Sequence, residues 1–245
     1  MNILPITADE FGIPRSACEY IDWVDNHKLM VSQDEELITI WRLNKDRLVK
    51  VFKEEALPLA KFLKAKFSGR SDIKITHMLG SQSYDAEFQC EDDDLKYVEV
   101  TDSIMDEDER ARMEILDREG TVPYLAKVKK TATKHRGGKA YVDKNSPAVF
   151  SYNELTTCAF EKVARVVDKK IGNHEKYEES TALLVSFDDM SVVYKHECDF
   201  FRKSIAERYA NVESNFSWLF LIGVVRGTFY EFCLKGKQPC FKAIG

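Results

Sequence analysis

Long apolar runs are missing from this chain. Nothing approaches the roughly 18 apolar residues needed to span a bilayer. The longest candidate, residues 216–225 (FSWLFLIGVV), has the length of a strand and is followed by Arg226. The first twenty residues lack the basic start, apolar stretch and small-residue cleavage site of a secretory signal, so a cytoplasmic location without membrane contact is the expectation. Cysteine is sparse and scattered, at positions 18, 90, 158, 198, 233 and 240. With no CxxC and no Cys/His ligand pair, a structural zinc site is not expected, and most of these cysteines read as small core residues. None of the five histidines lies three or four residues from another, which removes HExxH-type metal chemistry. Gly-rich phosphate loops and GxSxG elbows are absent as well.

What remains is a soluble, charged composition. The chain has 245 residues, enough to bury a full core as one domain, with 31% charged and 44% hydrophobic residues. Its net charge of −5 argues against a surface built throughout for nucleic acid, but the charge is unevenly spread. Residues 85–119 hold 15 acidic and 4 basic residues, whereas 126–144 hold 7 basic and 1 acidic. A basic segment in an acidic protein can be a phosphate-contacting arm or simply a solvated hairpin.

Patterning along the chain predicts the elements. A short helix fits around residues 16–28, and "ELITIWRL" and "RLVKVF" on either side of "NKD" predict a β-hairpin. Pro58 is tolerated in a first helical turn, so a helix is expected from about Leu57 to Phe67. "DIKITHMLG" reads as a strand. Two further strands surround the acidic turn "EDDD": Tyr84, Ala86, Phe88 and Cys90 share one face of the first, and Val98 and Val100 take the apolar face of the second. Residues 103–150 interrupt the rhythm with an acidic helix stopped by Gly120, the basic stretch and an "RGG" turn. An amphipathic helix then runs to Gly172, followed by the strand "STALLVSF", another helix, and a last pair of strands. The expected architecture is α/β (α+β), a mixed β-sheet flanked by helices, with residues 1–52 as an N-terminal elaboration carrying the hairpin and 53–245 as the core with an insertion at about 103–150.

The order helix, three strands, helix, strand over roughly residues 54–187 resembles the core of the PD-(D/E)XK nuclease superfamily once the insertion is set aside. That family carries an acid at the start of the second strand and an acid-x-lysine triplet on the third. Asp85 matches the first, Glu99 the second, fourteen residues later, and Thr101 stands where the lysine is expected. The resemblance implies Asp85 and Glu99 as ligands of Mg²⁺ or Mn²⁺ and a nuclease acting on DNA or RNA. Such ions prefer oxygen ligands and keep several waters. The backbone carbonyl of Val100 could add a ligand. Threonine can orient a water but brings no positive charge.

In some members of the superfamily the lysine has moved to the helix after the third strand. On a helical wheel started at Leu155, the apolar stripe centres near about 50° and Lys170 falls near about 60°, facing the sheet. Lys170 is therefore the candidate assisting group. Its alternative role is to snorkel to water and complement the helix dipole. Asp85 and Glu99 could equally be exposed acids on an uncovered sheet face. Glu55 could match the family's accessory acid on the first helix, but it is read as a surface residue; Gln82 and Glu87 are optional members, and "EDDD" is a solvated turn. Lys127, Lys129, Lys130, Lys134, Arg136 and Lys139 are candidate phosphate contacts, unless their hairpin is merely exposed. The competing functional reading is a catalytically inactive nuclease-like scaffold that binds nucleic acid or protein. A regulator that binds only protein is indicated if the basic segment packs on the acidic helix.

Overall fold

The computed structural model describes residues 6–90, 94–123, 127–130, 138–143 and 151–235, and the backbone of 241–244. One mixed sheet organises the chain, with eight strands in the order β1-β2-β3-β4-β7-β8-β9-β10 if the two-residue β1 is counted. The strands are β1 (Arg15–Ser16), β2 (Lys74–His77), β3 (Ala86–Gln89), β4 (Tyr97–Asp102), β7 (Thr181–Phe187), β8 (Phe216–Gly223), β9 (Phe229–Cys233) and β10 (Phe241–Ile244). The pairs β4·β7 and β7·β8 are parallel, and the remaining neighbours are antiparallel. All seven residues of β7 are buried, as expected for a central strand covered on both faces.

Alternation along the strands separates two cores. Val98, Val100, Ala182, Leu184, Phe220 and Ile222 face helices α2 (Ala17–Ser32) and α5 (Leu57–Lys66). Leu183, Val185, Leu219 and Leu221 face α7 (Tyr152–Ile171) and α8 (Lys195–Tyr209). The expected helices and strands from residue 57 to 233 all appear in the predicted order. Among the described residues no helix is long and apolar enough to cross a membrane.

The predicted β-hairpin in residues 36–52 is wrong: both halves are helical, α3 (Glu35–Leu43) and α4 (Arg47–Val51). Capping explains the outcome. The Asp34 carboxylate accepts the Glu36 and Leu37 N–H groups, and Asp46 accepts those of Leu48 and Val49. Asn44 sits between them in the left-handed region (φ 49°), so "NKD" is a helix–helix turn. These helices and α2 also add side chains to the first core, which makes the N-terminal region part of one packed unit with the sheet.

The helix around Pro58 is longer than expected. α4 runs into a wide π-helical turn over Phe52–Ala56 and on into α5 without a break. Pro58 has no N–H to give and its ring would crowd the carbonyl one turn earlier; widening that turn relieves both problems. The bond from Leu57 N–H to Phe52 O, five residues back, marks the widening. The insertion is a satellite layer: α6 (Glu107–Glu119) packs Ala111 and Ile115 against Val128 and Ala140 of the hairpin β5 (Val128–Lys130) and β6 (Ala140–Val142). Gly120 ends α6 at φ 73°, where glycine avoids the Cβ penalty.

Candidate functional site

Asp85 stands where β3 parts from β4. Its N–H donates to Val98 O at 2.9 Å and its carbonyl accepts the Met78 N–H at 2.8 Å. Beyond the last backbone pair, Ala86 with Val98, its carboxylate replaces the ladder: Oδ2 accepts the Val100 N–H at 2.7 Å. The acid is therefore fixed against the edge of β4.

Glu99 lies between Val98 and Val100, whose side chains enter the first core, so its own side chain goes to the α7 side. It is 8% exposed. Lys170, in the last turn of α7, donates to Glu99 Oε1, and its ammonium is 6.0 Å from the centre of the Tyr177 ring. The helical-wheel placement of Lys170 toward the sheet is thus realised as a contact with the predicted acid.

A third carboxylate joins them. Glu55 projects from the π-helical turn, and its Oε2 is 3.2 Å from His77 Nε2. His77 is fully buried on β2, and its Nδ1 is 2.8 Å from the Tyr20 hydroxyl. Burial, with a smaller push from Arg15, drives the imidazole down to about 3, so the ring is neutral. Both bonds are satisfied when Nε2–H donates to Glu55 and Nδ1 accepts from Tyr20. The reading of Glu55 as a surface residue is corrected: it belongs to the acidic cluster. Pro58 was the sequence signal, because it forces the turn that carries Glu55.

Electrostatics couple the group. Burial pushes Asp85 up to about 8, assisted by the charges of Glu55 and Glu99. Burial and the Glu99 charge raise Glu55 to about 7. Glu99 is also raised, burial outweighing the opposing pull of Lys170. Burial opposes the Lys170 charge, but the attraction and hydrogen bond of Glu99, with Tyr177 and Asp85, together hold the ammonium above its usual range. Three acids thus share one ammonium in a half-buried site, and protonation is the way the cluster sheds its surplus charge without a second cation.

The other candidates are less closely placed. Thr101 is half-buried two residues along β4 from Glu99. Gln82 is exposed, and Glu87 is half-buried opposite Tyr97. Of the basic residues, Lys129 pairs with Asp143 at 2.7 Å and Lys130 with Glu114 on α6 at 3.2 Å. Lys127 and Lys139 are exposed; Lys134, Arg136 and most of the "RGG" turn lie outside the described residues, as does most of "EDDD". The basic hairpin therefore does pack on the acidic helix.

Among the described residues, no three His, Cys, Asp or Glu side chains already stand as a metal-ligand group. Glu99 is turned to Lys170, and one Asp85 oxygen to the Val100 N–H. The donor set is nevertheless all oxygen and carries surplus negative charge, which suits a hard divalent cation held by two carboxylates and several waters. No protein-family model, curated protein or solved structure matches the chain.

Proposed function

We propose that this protein is a metal-dependent phosphodiesterase of the PD-(D/E)XK nuclease type, cleaving DNA or RNA. The observation that carries the reading is the convergence of Asp85, Glu99, Glu55 and Lys170 from four separate elements, with more acid than one ammonium balances. Asp85 and Glu99 would hold Mg²⁺ or Mn²⁺. The bound ion would supply charge stabilisation at the phosphoryl oxygens and acidify a coordinated water.

The chain's own groups have distinct parts. Val100 N–H holds Asp85 in one orientation, so the ligand is aimed before anything binds. Lys170, which donates to Glu99 here, would offer positive charge to a developing oxyanion if Glu99 held the ion. This places on α7 the charge that Thr101 cannot supply, while Thr101 orients water by hydrogen bonding. Glu55, raised to about 7 and steadied by His77, is suited to accept a proton near neutral pH.

The test is cleavage of single- and double-stranded DNA and RNA with Mg²⁺ or Mn²⁺. Wild type should cut at least one substrate, and Asp85→Asn and Lys170→Met should each lower the rate about a hundredfold or more. Failure of wild type on all substrates and both ions overturns the catalytic reading. A non-catalytic scaffold that binds protein is the second reading, favoured by Thr101 at the lysine position and by the packing of the basic hairpin, through Lys130 and its small core, on α6.

A further inference from the structure

A separate cavity of about 290 Å³ lies between the α3–α4 turn and α6. Arg42, Asn44, Lys50, Arg110 and Met113 line it, together with Glu114. Its floor is braced. The Asn44 amide donates to Glu54 Oε1 at 3.0 Å and accepts from Lys53 Nζ at 3.3 Å, which fixes the left-handed turn beneath the two helices.

The charges around this cavity do not cancel. Glu114 is engaged by Lys130, and Glu54 pairs with Lys50 at 3.8 Å. Arg42 on α3 and Arg110 on α6 have no ion pair or side-chain hydrogen bond among the described residues, although both line the cavity and Arg110 acts electrostatically on Glu54. Elsewhere among the described residues most arginines are anchored: Arg70 to Asp72, Arg112 to Glu109, Arg118 to Glu119, Arg202 to Asp199 and Arg208 to Asp168. Two unanchored guanidiniums facing one concave space repel each other unless an anion lies between them, and their planar forks suit phosphate oxygens.

The cavity is also close to the acidic cluster. Lys50 lines it and acts electrostatically on Glu55, five residues further along the same helix. A strand with one phosphate at Asp85 and Glu99 would set another of its phosphates in the cavity.

We infer that Arg42 and Arg110, with Lys50, form a phosphate-binding pocket that grips a non-scissile backbone phosphate of a polynucleotide. The inference rests on the proposed nuclease reading for the identity of the strand, but its test needs no catalysis. Binding of a fluorescent 20-nucleotide single strand is followed by anisotropy in EDTA between 50 and 200 mM salt, for wild type, Arg42→Ala/Arg110→Ala, Asp85→Asn and the surface control Lys203→Ala, with thermal melting to confirm folding.

The double variant should bind about tenfold more weakly, with a log–log salt slope shallower by roughly 0.7, the value of one phosphate contact on a single strand. Lys203→Ala should match wild type, and Asp85→Asn should bind at least as well. Unchanged affinity and slope in the double variant overturn the pocket, even if the enzyme cleaves. Their loss supports it, even if nothing is cleaved. Inorganic pyrophosphate should compete with the strand; if it binds the pocket while the strand does not, the polynucleotide assignment is overturned in favour of a small phosphorylated ligand.

Discussion

Replacing Asp85 by asparagine should stabilise the protein at alkaline pH and flatten its pH dependence. Asp85 ordinarily titrates at 3.8 and is held at about 8 in the fold. Between those limits the folded chain keeps a proton that the unfolded chain has released. The stability contribution is therefore complete below about pH 4 and is lost as pH rises through 8. Glu55, raised from 4.5 to about 7, acts in the same sense over a lower window. His77 acts oppositely: with its pKa depressed from 6.5 to about 3, its contribution is present above 6.5 and is lost as pH falls through 3. The interval from pH 6.5 to 8 is therefore dominated by the acids, with only a small opposing contribution from His77 at its lower end. Across it, the titration of the coupled acids should remove stability on the order of 2 kcal/mol, the larger share through Asp85. Asparagine keeps an oxygen for the Val100 N–H and carries no charge, so the variant should lose the Asp85 share of this slope. Urea unfolding at pH 6.5, 7.25 and 8 in EDTA, followed by tryptophan fluorescence, measures it. An Asp85→Asn slope equal to that of wild type would refute the electrostatic account of the cluster.

Other consequences follow from packing. Asp189 is fully buried and its carboxylate accepts N–H groups of Val225, Arg226 and Thr228, tying the β8–β9 turn to β7. Asp189→Ala should cost about 2–4 kcal/mol in urea unfolding because those donors lose their partner. A Cβ at Gly223 would overlap the same carboxylate, so Gly223→Ala should be destabilising as well, with a lower melting temperature. Ile115 is fully buried in the small satellite core, and Ile115→Ala should speed amide exchange in α6 and β5–β6 while leaving β7 protected. Lys170→Met should raise the Glu99 and Asp85 pKa values further, since the one ammonium that lowers both is gone; ¹³C-detected carboxyl titrations would register the shift.

Much of this arrangement is legible in the sequence because it depends on local patterns. Alternation places Val98 and Val100 in the core and so commits Glu99 to the opposite face. The apolar period of α7 likewise turns Lys170 toward the sheet. The misreadings arise where two patterns compete. "ITIW" offers β-branched residues, but Leu37, Ile40 and Trp41 also stand at helical spacing, and the Asp34, Asn44 and Asp46 caps decide for helix. Glu55 was hidden for another reason. Its direction depends on a π-helical turn set by Pro58, and no periodicity based on 3.6 residues per turn can place a side chain beyond such a turn. The pairing of the basic hairpin with α6 is a tertiary contact between segments of opposite charge, and spacing alone does not reveal it.

Calorimetric titration of the protein with Mn²⁺ at pH 7.5 tests the central claim most directly, because it asks only whether the acids accept a divalent ion. Wild type should give heat for a saturable site accompanied by proton release, visible as a dependence on buffer ionisation enthalpy, and Asp85→Asn should abolish it. A folded wild-type protein that takes up no Mn²⁺, or an Asp85→Asn variant that binds it as well as wild type, would contradict the account.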